Sequence, residues 1–391
     1  MDFEPWMLLV FPLFFGMGWL AARIDIKELL TESSALPRSY FEGLNFLLNE
    51  QQDQAIEAFI EVVKVDPQTI ELHFALGSLF RRRGEVDRAI RMHLNLVERD
   101  DLEEERKQQA LFELAQDYLK AGILDRAEDA LQRLCGTPYE KQADEFLLEL
   151  YQKEKDWPEA IDISRRLEAL TGESYGRCIA FFYCELGAAE LAGQQAEAAV
   201  VHLEQALAAN AKNVRASMML GDIDLAAGKI ADAIARWKKI ELQDAEYLPL
   251  VAERLLAAYK QLGDEAGGVE LLRGWLRQYP SLDLMNVLFG AVVAREGADA
   301  AYRLVRDELR RTPSLLGLEK LLEAQLLTYR GERRSDIELV KHLIHDRTRS
   351  LGMYHCSHCG FKARQFYWHC PACHNWDTYR PRRTEETGVT Q

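Results

Sequence analysis

The feature that most constrains the fold is an internal repeat of 34 residues. Gly43 and Ala55 recur 34 positions later as Gly77 and Ala89. The same spacing of twelve residues returns further along the chain, in Ala115 with Ala127, Leu148 with Ala160, Gly187 with Ala199 and Gly221 with Ala233. Small residues at two fixed positions let a pair of helices approach closely. A repeat of this length therefore predicts a stack of helical hairpins, each packing on its neighbours.

This pattern resembles the tetratricopeptide repeat, a helix-turn-helix unit with small residues at its eighth and twentieth positions. The resemblance covers residues 36–313 as about eight repeats, and the match becomes weaker after residue 240. It predicts an all-α tetratricopeptide-repeat solenoid with further helices over 314–350. An amphipathic bundle without repeats is the alternative. In the first four units the large residue of the first helix is Phe46, Phe80, Tyr118 and Tyr151. Glycines mark the turns inside hairpins, at Gly84, Gly122, Gly193, Gly228 and Gly263.

Arrays of this kind bind partners along a concave face lined by the first helix of each hairpin. In the register above, Phe74, Arg81 and Phe112 are expected on that face, beside Arg82 and Arg83. The basic triplet favours an ordinary solvated helix face with acidic neighbours. Recognition of an acidic segment of a partner is the alternative.

An uncharged segment from Pro5 to Ala22 predicts a transmembrane anchor within residues 1–35. As a helix its 18 residues span about 27 Å, against about 30 Å for the hydrocarbon core. Trp6 and Trp19 lie near its ends, where aromatic rings favour the interface. Arg23 follows at once, so we expect the N-terminus outside and the bulk of the chain in the cytoplasm. The alternatives are a cleaved signal peptide and a buried helix, but no basic residue precedes the segment.

The charge lies mainly in the middle of the chain. Of the net −15, residues 37–350 contribute −14, from 41 bases and 55 acids. Such a surface repels polyanions, so no nucleic acid is expected as a partner. The C-terminal segment 351–391 carries +2, and a zinc-ribbon nucleic-acid adaptor is therefore an alternative, suggested by Lys362, Arg364, Arg380, Arg382 and Arg383.

Four cysteines near the C-terminus predict a metal site. They form two Cys-x2-Cys pairs separated by ten residues, Cys356 with Cys359 and Cys370 with Cys373. Two such turns can present four thiolates to one tetrahedral ion, either zinc or iron. Disulfides are disfavoured in the expected reducing compartment, and no βαβ pattern suggests a thioredoxin-like redox pair. The remaining cysteines are expected to be small buried residues, namely Cys135, Cys178 and Cys184.

The double turn over residues 351–383 resembles rubredoxin, most clearly in Cys370-Pro371-Ala372-Cys373. The separation of the pairs is much shorter than in rubredoxin, and His374 stands where a glycine is usual. We therefore expect a metal-stapled docking module that packs on the last repeats, followed by a tail over 384–391. A rubredoxin-like electron-transfer protein is the alternative. A module of about 30 residues cannot build a sufficient core, so the metal is expected to supply its folding free energy.

A short motif, Gly172 to Gly176, matches the nucleophile elbow G-x-S-x-G around Ser174. That elbow needs a preceding strand, whereas residues 161–170 have the pattern of a helix. We therefore expect no enzyme activity at Ser174.

The order of anchor, repeats and metal module resembles the lipopolysaccharide assembly protein B family over nearly the whole chain. The resemblance implies a non-enzymatic adaptor of the inner membrane and iron at the four cysteines. It implies that the adaptor brings a membrane-bound ATP-dependent protease to the lipid A deacetylase and so limits lipopolysaccharide synthesis. It also implies contacts with lipopolysaccharide assembly enzymes and with a periplasm-spanning membrane regulator.

Overall fold

The computed structural model describes residues 38–49, 51–65, 70–329, 331, 333–349 and 351–387. It divides into two compact units, the first ending at Leu150 and the second beginning at Tyr151. The first unit is helical. Its helices are α1 (Arg38–Leu48), α2 (Gln52–Val65), α3 (Ile70–Arg83), α4 (Val86–Glu98), α5 (Glu104–Ala121), α6 (Leu124–Gln132) and most of α7 (Glu140–Glu154).

The second unit contains further helical hairpins and the C-terminal module. Its helices are α8 (Trp157–Thr171), α9 (Gly176–Ala192), α10 (Ala196–Ala209), α11 (Val214–Ala226), α12 (Ile230–Lys238), α13 (Ile240–Gln243), α14 (Leu248–Gln261), α15 (Glu265–Gln278), α16 (Leu282–Glu296), α17 (Ala298–Arg311), α18 (Leu315–Thr328) and α19 (Arg334–Thr348). The mostly helical repeat architecture is thus confirmed, and the five turn glycines all lie between the two helices of a hairpin.

The repeated glycine sets the distance between the two helices of a hairpin. A Cβ atom on Gly77 would lie 2.3 Å from the His93 ring, and one on Gly221 would lie 2.3 Å from the Trp237 ring. In both cases the large residue follows the glycine by sixteen positions, and its side chain is fully buried. Any side chain at these glycines would force the helices apart, which explains the periodicity in the sequence.

The regular pattern is interrupted after α12. The chain forms the single turn of α13 and then a 3-10 turn over Ala245–Tyr247 before α14 begins. Tyr247 and Leu248 are buried there, and the backbone amide of Glu246 is capped by the Asp244 carboxylate at 3.1 Å. The loosening of the repeat pattern after residue 240 therefore corresponds to an inserted turn.

The C-terminal module adds a small antiparallel sheet to the helical fold. Strands β1 (Tyr354–Cys356), β2 (Lys362–Ala363) and β3 (Tyr379–Arg383) are ordered β2-β1-β3. Tyr354 pairs with Ala363 on one side and with Arg383 on the other. Two of the four cysteines and two tyrosines form its buried centre: Cys356, Cys370, Tyr354 and Tyr379.

The predicted anchor from Pro5 to Ala22 lies outside the described residues. Among the helices of the described ranges, none combines the length and the apolar character needed to cross a membrane.

The prediction for the remaining cysteines is only partly right. Cys184 is fully buried, and burial raises the pKa of its thiol to about 12. Cys178 is half-buried, whereas Cys135 is exposed in the turn after α6, with its sulfur 3.4 Å from the Glu140 carboxylate. Cys135 was wrongly assigned to the core because the irregular end of α6 leaves it on the surface.

Candidate metal centre

Each Cys-x2-Cys pair forms the same tight turn, here called a knuckle. In the first knuckle the Gly360 amide donates to the Cys356 carbonyl at 3.0 Å, and in the second the His374 amide donates to the Cys370 carbonyl at 2.9 Å. Gly360 has a φ of +76° and His374 a φ of +55°. Both knuckles therefore end on a residue in the left-handed region, which costs nothing for glycine but is strained for histidine.

The two knuckles bring all four thiols together. Their sulfur atoms lie within 4.8 Å of one another, with 3.7 Å from Cys356 to Cys373 and 3.8 Å from Cys359 to Cys370. In a tetrahedral site with metal–sulfur bonds of about 2.3 Å, the sulfurs are about 3.8 Å apart. The four cysteines therefore fit a single tetrathiolate metal ion, and this donor set suits zinc and iron alike.

The protein environment shifts the pKa values of the Cys356 and Cys370 thiols in opposite directions. Burial disfavours the thiolate of Cys356, but hydrogen bonds from Thr378 and from the amides of Cys359 and His358 lower its pKa to about 6. Burial raises the pKa of Cys370 to about 12. Four thiolates this close repel one another, so a bound cation is needed before all of them lose their protons.

Polar side chains lie close to the sulfur atoms but are not part of the group placed to hold a metal ion. The Asn375 side-chain amide lies 3.7 Å from the Cys373 sulfur, and the Thr378 hydroxyl lies 3.3 Å from the Cys356 sulfur. The His369 ring lies 2.8 Å from the His374 carbonyl oxygen. Within the described ranges, the group of side chains placed to hold one ion consists of the four cysteines and includes no histidine.

Trp376, just after the second knuckle, anchors the module on the helices. Its ring stacks on Phe181 of α9 with centroids 5.2 Å apart and the planes 18° from parallel. Its edge meets Trp157 of α8 and Phe182 of α9 at about 6 Å. Its indole nitrogen donates to the Gln152 side chain at 3.0 Å. The prediction of docking on the last repeats was therefore incomplete, because α8 and α9 also form the docking surface.

The inserted turn after α13 provides a second docking point. The Tyr247 ring stacks on Trp368 with centroids 5.3 Å apart and the planes 4° from parallel. The Tyr247 hydroxyl donates to the Asp377 carboxylate, which also receives a hydrogen bond from Arg177 Nε at 3.0 Å. Burial and the negative charge of Asp377 raise the pKa of Tyr247. Asp377 thus joins α9 to the inserted turn.

The arginines of β3 hold the module by ion pairs. Each contacts a carboxylate of the helical array: Arg380 with Asp244 at 2.6 Å, Arg382 with Glu246 at 3.3 Å, and Arg383 with Asp283 at 2.8 Å. Three of the five basic residues that suggested nucleic-acid binding are therefore engaged within the chain.

The segment after β3 caps two helices. The Glu386 carboxylate accepts from the Leu282 amide at 2.9 Å, at the start of α16. The Glu385 carboxylate accepts from the amides of Leu315 and Leu316, at the start of α18. Carboxylates are favourable at helix N-termini because the amides there lack partners within the helix.

The residues predicted to form a partner-binding face have contacts of their own. Phe74 is buried. The Arg81 guanidinium lies between Glu113 at 2.6 Å and Asp117 at 2.8 Å, and Asp117 also contacts the buried His93 ring at 2.5 Å. This polar network joins α3, α4 and α5.

Phe112 is half-buried in an aromatic cluster. Its ring stacks on Tyr139 at 5.4 Å and is tilted against Phe146 at 5.7 Å. The use of Phe74, Arg81 and Phe112 by a partner remains a prediction.

Ser174 lies in the loop between α8 and α9, where no strand precedes it. Its hydroxyl lies 3.3 Å from the Glu168 carboxylate. The arrangement is not a nucleophile elbow, which agrees with the interpretation of that motif.

The metal module and two segments of the helical repeats match known protein families. A model described as a rubredoxin metal binding domain matches residues 354–381, and two tetratricopeptide-repeat models match residues 42–101 and 190–259. A crystal structure of MamA protein is 22% identical, covering 45% of this chain and 92% of that one with a TM-score of 0.33, which is too low to support a conclusion.

Two relatives match almost end to end. Lipopolysaccharide assembly protein B of Escherichia coli strain K12 is 35% identical over 380 residues, which is 96% of this chain and 98% of that protein. The protein of the same name from Haemophilus influenzae is 28% identical and covers 97% of this chain and 98% of its own. At 35% identity over 96% of its length, and with tetratricopeptide repeats and a rubredoxin-type metal module, the chain belongs to the lipopolysaccharide assembly protein B family.

Proposed function

We propose that this protein is a non-catalytic scaffold in lipopolysaccharide assembly. The observation that carries the proposal is the end-to-end match to relatives named for that process, at 35% identity over 96% of the chain. The fold supports a scaffold, because hairpin repeats build extended surfaces for partners.

The metal module belongs to the scaffold in this proposal. Its contacts reach α9 through Trp376, the inserted turn through Asp377, and the start of α16 through Arg383. These three elements are far apart in the sequence, so the module ties non-consecutive hairpins of the second unit together. Loss of the metal should release these contacts and alter the surface that the hairpins offer.

We further propose what the scaffold assembles. It brings the membrane-bound ATP-dependent protease to the lipid A deacetylase, and it also contacts lipopolysaccharide assembly enzymes and a periplasm-spanning membrane regulator. An N-terminal anchor in the inner membrane, with the bulk of the chain on the cytoplasmic side, confines all of them to one plane. Tethering raises the effective concentration, so weak individual contacts suffice.

Iron is the proposed metal, with zinc as the alternative. When bound, the ion supplies four metal–thiolate bonds that hold the two knuckles together. Elemental analysis of the purified full-length protein distinguishes the two metals, and an oxidised tetrathiolate iron site also absorbs visible light whereas a zinc site is colourless. A zinc-only protein would contradict the iron assignment and leave the scaffold proposal intact.

Affinity capture from native membranes tests the scaffold proposal. Three chains are compared: the intact protein, one lacking residues 1–22, and the double variant Cys370→Ser with Cys373→Ser. The exposed Cys135→Ser serves as the matched control, because it removes a thiol outside the cluster. The intact chain and the control should recover the protease and the deacetylase, and the other two should recover far less. Recovery of neither enzyme by the intact chain would refute the adaptor assignment.

A further inference from the structure

Helix α19 leaves an apolar stripe open to solvent. Leu339, Val340 and Leu343 are 60%, 45% and 58% exposed. They follow the i, i+1, i+4 spacing that places them on one side of the helix, and Asp336 and Arg347 extend the same stripe at its two ends. Repeat arrays normally end in a helix with a polar outer face. An apolar stripe on such a helix indicates a surface that another molecule covers.

Most of the other charged residues on α19 are used within the chain. They form four pairs: Arg334 with Glu338, Lys341 with Glu323, His345 with Glu319, and Asp346 with Arg349. Asp336 and Arg347 are exposed and have no such partner among the residues that the structure describes. The two charges that flank the apolar stripe are therefore available for another molecule.

The positions of the two charges make this surface complementary to the same surface on a second copy of the chain. Asp336 lies four residues before Val340, and Arg347 lies four residues after Leu343. A second copy of the helix, placed antiparallel about an axis between Val340 and Leu343, brings Asp336 of each copy beside Arg347 of the other. The apolar residues then meet at the centre. In a parallel pair each Asp336 would instead face its own counterpart, and like charges would repel.

We propose that α19 is a self-association surface, through which two copies of this chain pair antiparallel by a two-fold axis. Such an interface is isologous, so every contact occurs twice. The surface is short, about 16 Å along the helix from Asp336 to Arg347. A contact of that size gives a weak, reversible dimer rather than an obligate one.

Charge reversal tests the pairing. Asp336→Arg places two arginines together at both ends of the interface, and Arg347→Asp places two aspartates together. Each single variant of the full-length protein in detergent should self-associate at least about tenfold more weakly than the wild type in sedimentation velocity. The double variant, which carries both reversals in one chain, should regain wild-type association.

Mixing the two single variants provides a second test that needs no double variant. In a mixed pair, the arginine introduced by Asp336→Arg in one chain faces the aspartate introduced by Arg347→Asp in the other. The opposite end of the interface keeps its native charges. The mixture should therefore associate about as tightly as the wild type, although each variant alone associates at least about tenfold more weakly. Residues 336 and 347 are about 16 Å apart within one helix, so rescue cannot arise inside a single chain.

Glu338→Arg is the matched control, because it reverses an acid on another side of α19. It should leave association unchanged, and circular dichroism should show intact helix content in every variant. The proposal is overturned if the wild type stays monomeric up to about 0.1 mM. It is equally overturned if the double variant and the mixture stay monomeric, or if Glu338→Arg disrupts association as strongly as Asp336→Arg.

Discussion

The two knuckles share their cysteine spacing and their backbone hydrogen bonds, yet the residues that follow them directly differ. Three and four residues after its last cysteine, the first knuckle has Lys362 and Ala363, which form the edge strand β2. At the same positions the second knuckle has Trp376 and Asp377, which contact α8, α9 and the inserted turn. Metal binding and docking therefore depend on different residues. The cysteines form the metal site, whereas Trp368 just before the second pair and Trp376 and Asp377 just after it contact the helices and the inserted turn.

Removing a cysteine from either knuckle should have the same effect, because both knuckles contribute ligands to one metal ion. Cys359→Ser in the first knuckle and Cys370→Ser in the second should each reduce the metal content from about one ion per chain to near zero. Elemental analysis of the purified protein measures this. Hydrogen exchange should then show loss of protection across residues 354–383 in both variants. Full metal retention by Cys359→Ser would mean that the exposed thiol is not a ligand.

Replacing Trp376 should reveal the docking role of the second knuckle. Trp376→Ala removes the ring that packs among Phe181, Phe182 and Trp157, together with the hydrogen bond that its indole nitrogen donates to the Gln152 side chain. The expected loss is about 3–5 kcal/mol in the free energy of unfolding of the second unit. Lys362→Ala, the matched change after the first knuckle, should stay within about 0.5 kcal/mol. Equal losses in denaturant titrations of the two variants would show that both flanks dock.

Replacing Asp377 should weaken docking less than the loss of Trp376. Asp377→Asn removes the charge that pairs with Arg177, while the amide oxygen still accepts from the Tyr247 hydroxyl. The carboxylate is 14% exposed and Arg177 is 56% exposed, so solvent screens the pair, and the expected loss is about 1–2 kcal/mol. A double-mutant cycle with Arg177→Met measures the coupling. Strictly additive losses would show that the ion pair contributes no stability.

The helical array was predictable because its signal is periodic. Small residues such as Gly77 and Gly221 are needed where the two helices of a hairpin pack closely. Because every hairpin has the same requirement, the small residues recur at a constant spacing in the sequence. The four-cysteine cluster was predictable for a similar reason, because two residues between thiols fix the geometry of a knuckle. Both predictions depend on contacts between residues close in the chain or at a constant spacing.

The docking surface was not predictable in the same way, since its partners are distant in the sequence. Asp377 meets Arg177 and Tyr247, at separations of 200 and 130 residues, and no spacing rule connects them. Two signals were nevertheless present. The repeat pattern loosens where Tyr247 lies, and the short C-terminal segment has more aromatic residues than it can bury alone, including Trp368 and Trp376.

The smallest expected difference concerns the residue that closes each knuckle. Gly360 and His374 both have positive φ, and a Cβ on Gly360 would meet no atom within 4 Å, so backbone conformation alone decides the effect. Gly360→Ala should cost about 1 kcal/mol, because alanine is strained in the left-handed region. His374→Gly relieves that strain but raises the conformational entropy of the unfolded chain. The variant should therefore be neutral or more stable by up to about 1 kcal/mol. Thermal unfolding of the metal-loaded full-length protein measures both. If His374→Gly is clearly destabilising, the His374 side chain contributes to the second knuckle through contacts that outweigh its backbone strain.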